Sequence, residues 1–68
     1  MATRDQLKGN WNIVKGYIKE QWGQFNDDDI TQIDGKKDQL VGKLQKKYGI
    51  AKEEAERQVK EFEDKFDL

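Results

Sequence analysis

The chain has 68 residues, 40% of them charged and 34% apolar, with 13 basic and 14 acidic side chains and a formal net charge of −1. That length makes one domain near the lower limit for a self-sufficient core. The absence of cysteine and histidine excludes disulfides, thiol redox chemistry and the usual zinc and copper sites.

The opening residues Met1-Ala2-Thr3-Arg4-Asp5 lack the apolar centre of a secretory signal. No later run approaches the ~18 apolar residues that span a bilayer. The expectation is a cytoplasmic protein with no integral membrane association.

Leu7, Trp11, Val14, Ile18 and Trp22 then recur every three or four residues and predict an amphipathic first helix. Lys8, Lys15, Lys19 and Glu20 lie off this stripe. Gly23 follows the last aromatic and is expected to cap the helix in the left-handed conformation. Asn26 is a good N-cap for a short second helix over about 27–35, with Asp29 three positions on and Asp27 and Asp28 complementing the positive helix end. Ile30 and Ile33 should point inward. A third helix is expected over about 36–48, burying Leu40, Val41, Leu44 and Tyr48. Gly35 separates these two helices by a break or a bend, and the residues leave that choice open. The fourth helix is expected over about 52–66, with Ala55, Val59, Phe62 and Phe66 at near-heptad spacing. Ala51 precedes it and carries no capping oxygen, so its start should fray more than that of the second helix.

The six glycines fall into two sets, Gly9, Gly16, Gly23 and Gly35, Gly42, Gly49, which superpose on a shift of 26 residues. Val14 then maps to Leu40, Ile18 to Leu44, Trp22 to Tyr48 and Ile33 to Val59. The fold class expected is all-α: four short helices as two crossed helical hairpins with an approximate internal duplication, its halves about 9–34 and 35–60. Gly16 and Gly42 fall mid-helix, where glycine costs about 1 kcal/mol against alanine. Close approach of another helix is the expected compensation. Gly49 is expected to repeat the cap assigned to Gly23. High charge beside a small apolar fraction predicts marginal stability.

Charge is unevenly placed. Residues 35–52 hold Lys36, Lys37, Lys43, Lys46, Lys47 and Lys52 against Asp38 alone, whereas residues 26–34 hold only acids and 53–68 mostly acids. A basic helix between acidic neighbours predicts mutual attraction of the helices. The polyanion alternative would use Lys36, Lys43 and Lys47, which share one helical face. A net charge of −1 argues against strong non-specific binding to nucleic acid. Gly35-Lys36-Lys37 is a poor phosphate motif because the glycines are spread rather than clustered. The triplet Asp27-Asp28-Asp29 lacks the alternate ligand spacing of a calcium loop and suits helix capping instead. The first helix also has the amphipathic look of a membrane-surface helix, but its stripe is needed for the core. Serine is absent, and without histidine or cysteine there is no evident base or nucleophile. No catalytic residue, metal or cofactor is expected.

The strings Gly9-Asn10-Trp11, Lys15-Gly16 and Lys19-Glu20-Gln21-Trp22-Gly23, together with Asp27-Asp28-Asp29, carry a resemblance. So do Gly35-Lys36, Asp38-Gln39-Leu40-Val41-Gly42-Lys43, Gln45, Tyr48-Gly49 and Ala55-Glu56. In this order and spacing they resemble the CsbD-like family of small bacterial general stress-response proteins, over about residues 5–63. Ala51 departs from the polar residue often found there in relatives. The resemblance implies an all-helical cytoplasmic protein that accumulates in stationary phase or under osmotic, salt or envelope stress. It implies no catalytic residues. The resulting expectation is a monomeric, non-enzymatic protein that binds or shields macromolecules under stress, its partner unnamed by the sequence. The alternative is a small nucleic-acid-binding module using the lysines of the third helix.

Overall fold

The computed structural model describes residues 11–68, which form α1 (Trp11–Gln21), α2 (Asp27–Ile33), α3 (Lys37–Tyr48) and α4 (Lys52–Lys65). Leu7, Lys8 and Gly9, assigned above to the first helix and the repeat, lie outside the described residues. The Cα envelope measures 30 × 24 × 17 Å. Its shortest side fits two helix layers at the usual interaxial distance of about 8–10 Å. Helix α3 packs closely against both α2 and α4.

One core gathers residues from all four helices and from the α1–α2 connection. Val14, Ile18, Trp22, Phe25, Ile30, Ile33, Leu40, Val41, Leu44, Ala55, Val59 and Phe62 are buried in it. Trp11, Tyr17, Tyr48, Ile50, Phe66 and Leu68 pack around its rim. Trp11 and Leu44 therefore belong to one assembly. Tyr48 and Phe66, expected inward, are half-buried at the rim. Phe25 is a core residue that the helical stripes do not announce, because it stands in the connection rather than on a helix.

The helix ends follow their capping chemistry. Asn26 Oδ1 accepts the Asp29 backbone N–H at 2.8 Å, and Asp29 Oδ2 accepts the Asn26 backbone N–H at 3.2 Å. This reciprocal capping box satisfies two donors that a helix start otherwise leaves open. Ala51 begins α4 with no side-chain cap, as its chemistry predicts. Helix α2 stops at Ile33, two residues before the expected end, and the question left at Gly35 is answered by a break. Asp34 and Gly35 both take positive φ, 49° and 76°, and the Lys36 N–H closes the turn on Ile33 O at 2.8 Å. Gly49 ends α3 with φ 63°, as expected for a left-handed cap.

Two expectations about glycine are overturned. Gly23 is not left-handed: among the described residues only Gly35 and Gly49 are glycines with positive φ. The chain leaves α1 instead through a tight turn, with the Phe25 N–H on Trp22 O at 3.2 Å. Gly16 and Gly42 are not packing residues either. A Cβ built at each would meet nothing within 4 Å, because both face solvent rather than a neighbouring helix. Their cost to the helix is left without a packing return.

Gly16→Ala and Gly42→Ala should each stabilise the fold by roughly 0.5–1 kcal/mol. Melting temperature should rise by about 4–8 °C per kcal/mol in a domain of this size. Gly35→Ala and Gly49→Ala should shift it downward, because an L side chain is strained at those φ values. Thermal melts of the four variants check the sign at each position. Amide exchange should also find the first turn of α2 better protected than the first turn of α4.

Candidate functional site

The lysines of α3 divide by position. Lys36 is extended, at the N-cap, and exposed. Lys37, one step into the helix, turns toward α4 and lies 3.5 Å from Glu63 Oε1. Lys43 and Lys47, four residues apart on one face, both turn toward α2. Lys47 Nζ lies 2.8 Å from Asp29 Oδ2, and Lys43 Nζ lies 3.6 Å from Oδ1 while also donating to Gln32 Oε1.

Asp29 thus does two jobs with one carboxylate. It closes the capping box of α2 and holds two ammonium groups of α3. It is the one polar side chain buried among the described residues, at 7% exposure. The hydrogen bond from Lys47 holds its pKa below the ordinary carboxylate value. Burial pulls the other way, and the Asn26 N–H and the charges of Lys47 and Lys43 add to the lowering. The rest of the acid triplet points elsewhere. Asp27 is exposed and pairs with Lys19 of α1 at 2.7 Å, which lowers its pKa too, while Asp28 is exposed. Consecutive residues on a helix diverge by about 100°, so the three carboxylates do not converge. Among the described residues no group of three acidic, histidine or cysteine side chains is placed to hold a metal.

Of the three lysines proposed to contact a polyanion, the structure brings Lys43 and Lys47 together and leaves Lys36 apart. The pair it brings together already faces an internal anion. Of the Gly35-Lys36-Lys37 stretch, only Lys36 is directed to solvent. The open groove between α3 and α4 is lined by both signs of charge, Lys37 and Lys60 beside Glu56, Glu63 and Asp64, over Val41.

A second set of contacts joins α1 to the rest and was not foreseen from the sequence. The Trp22 indole N–H donates to Gln58 Oε1 at 3.1 Å, and the Gln58 amide donates to Glu54 Oε2 at 3.0 Å. Arg57 clamps Glu54 and reaches Glu61 at 2.7 Å. Tyr17 stacks on Phe66 with centroids 4.2 Å apart, and Trp22 lies against Phe62 at 4.9 Å. The face a membrane-surface helix would present is therefore turned into the core. Ile13, at 56% exposure, is the large apolar side chain left outside among the described residues. No helix among them is long and apolar enough to cross a membrane. A signal for the Trp22–Gln58 bond does exist: a buried indole needs an acceptor, but many residues here could supply one.

A family model described as CsbD-like matches residues 5–57. A UPF0337 protein of Pectobacterium atrosepticum is 57% identical over 62 residues, covering 91% of this chain and 90% of its own. The UPF0337 protein YjbJ of Escherichia coli K12 is 52% identical over 61 residues, covering 90% and 88%. A UPF0337 protein of Protochlamydia amoebophila is 48% identical over 63 residues, covering 93% and 96%. The chain belongs to the CsbD-like family.

The sign of the Asp29 effect gives a test. A carboxyl with a lowered folded-state pKa contributes stability that is present above its unfolded value of about 3.9 and is lost as pH falls through the folded value. Asp29→Asn should cost on the order of 1 kcal/mol at pH 7, from loss of two partly exposed ion pairs. It should also flatten the loss of stability below about pH 4 seen in the parent. Urea unfolding across pH reads both.

Proposed function

We propose that this CsbD-like chain is a non-enzymatic stress-response protein of the cytoplasm that binds and shields other macromolecules when they expose apolar surface. The carrying observation is the way α1 is attached. Its apolar stripe, Val14, Ile18 and Trp22, is buried, yet among the described residues α1 does not share the close backbone packing that joins α3 to α2 and α4. Bulky rings, Tyr17 and Trp22 on one side and Phe62 and Phe66 on the other, fill the gap. A helix held by side chains can open at lower cost than one locked by close packing. Exposed Gly16 further lowers its intrinsic helical stability.

Opening α1 would uncover an aromatic-rich face inside a chain that is 40% charged. That combination suits a soluble shield: the apolar face engages a client and the charged shell keeps the pair dispersed. The closed form is monomeric on this reading. The nucleic-acid alternative ranks second, because Lys43 and Lys47 are already drawn onto Asp29. Separating them from that carboxylate would offset part of any gain from phosphate contacts.

Mixed at equimolar ratio with a heat-labile client enzyme, the protein should reduce light scattering by the aggregating client. Joining α1 to α4 with a short thiol cross-linker between Gln21→Cys and Lys65→Cys should remove most of that effect. Unchanged client aggregation with the parent protein would count against the reading. A salt-sensitive shift of a labelled duplex at ~50 mM salt and micromolar protein would instead promote the nucleic-acid alternative.

A further inference from the structure

We propose that α1 is an exchangeable element: it hinges at Gly23–Gln24 and packs onto α4 of a second copy of this chain, forming a reciprocally swapped dimer. The proposal stands independently of the shielding reading, since it concerns a contact between copies.

Three observations carry it. The first is the hinge. Gly23 is outside the left-handed region, and a Cβ on it would meet nothing within 4 Å. The closed chain therefore makes no demand that only glycine meets there, unlike at Gly49, where φ is 63°. What glycine adds at that position is freedom to adopt another backbone path.

The second is that both sides of the hinge are self-contained. Helix α1 is hydrogen-bonded through the Trp22 N–H to Ile18 O at 2.8 Å. Helix α2 is closed by its own Asn26–Asp29 capping box. Among the described residues, opening the segment between them breaks two hydrogen bonds, the turn bond from the Phe25 N–H to Trp22 O and a long bond from the Gln24 N–H to Tyr48 Oη at 3.4 Å. Neither helix loses a terminus.

The third is the interface itself. Among the described residues, α1 and the Trp22 that follows it meet α2, α4 and the Phe66 beyond α4 through Lys19 with Asp27, Gln21 with Lys65, Trp22 with Gln58 and Phe62, and Tyr17 with Phe66. A second copy offers the same partners in the same arrangement, so the swapped and closed forms share these contacts and differ mainly at the hinge. The connection between α1 and α2 is five residues long, and short hinges of this kind are where exchange between copies occurs. Closure within one chain competes at an effective concentration of about millimolar, so the dimer should populate as protein concentration nears ~1 mM.

The test uses the natural absence of cysteine. Gln21 and Lys65 are exposed, 44 residues apart in sequence and joined by a 3.3 Å hydrogen bond between α1 and α4. Chains carrying Gln21→Cys alone and chains carrying Lys65→Cys alone are unfolded together, refolded at ~1 mM and treated with a short bismaleimide. The expected result is a hetero-linked dimer well above the yield of either homo-linked dimer. Light scattering of untreated protein should show a dimer fraction that grows with concentration. Hetero-linked product no greater than the homo-linked products, or protein that stays wholly monomeric at that concentration, overturns the proposal. The double variant at micromolar concentration should link within one chain. Failure to do so overturns the α1–α4 register on which the proposal rests.

Discussion

Helix α3 is the constraint on which the rest of the structure depends. Leu40 and Leu44 on it are fully buried, and Val41 nearly so. With only 34% of a 68-residue chain apolar, nearly every large apolar side chain must reach a common centre. A helix that packs on two neighbours at once provides that centre. Burial of each such side chain is worth roughly 1.5–3 kcal/mol. The sum is set against the entropy of ordering the chain, and small domains retain little surplus.

The charges follow from the same geometry. A central helix rich in lysine cannot sit between acidic neighbours without its ammonium groups finding them. Lys37 reaches Glu63 on one side, and Lys43 and Lys47 reach Asp29 on the other. These pairs are partly buried, so salt screens them less than it does pairs lying wholly in water. The basic segment that reads in isolation as a surface for a polyanion is, in the folded chain, largely an internal electrostatic seam.

The attachment of α1 is of another kind. Tyr17, Trp22, Phe62 and Phe66 tie α1 on through ring contacts and one indole hydrogen bond, with the Lys19–Asp27 ion pair and the Gln21–Lys65 hydrogen bond at its end. Among the described residues the fold therefore combines α2 and α4 packed closely on α3 with a first helix fastened chiefly at the level of side chains. Glycine placement agrees with that division. Gly35 and Gly49 are required by positive φ at the two ends of α3, whereas Gly16, Gly23 and Gly42 occupy positions where the folded chain would accept a larger residue.

Local chemistry made much of this legible. Helical spacing located Val14, Ile18, Leu40, Leu44, Val59 and Phe62, and the oxygen of Asn26 against the methyl of Ala51 separated a capped helix start from an uncapped one. The end of α3 at Gly49 was equally local, since it turns on one residue's φ. What only the tertiary structure decided were the matters that depend on which surfaces meet. Phe25 entered the core from a connection with no period to betray it. Gly16 and Gly42 turned outward although their spacing invited a packing role, and the turn after Trp22 took a path that did not use a left-handed Gly23. Asp29 became the partner of two lysines rather than a cap alone. A sequence determines periodicity and end chemistry because these act over three or four residues; the neighbour across an interface is set by the packing of side chains far apart in the chain, which no local pattern contains.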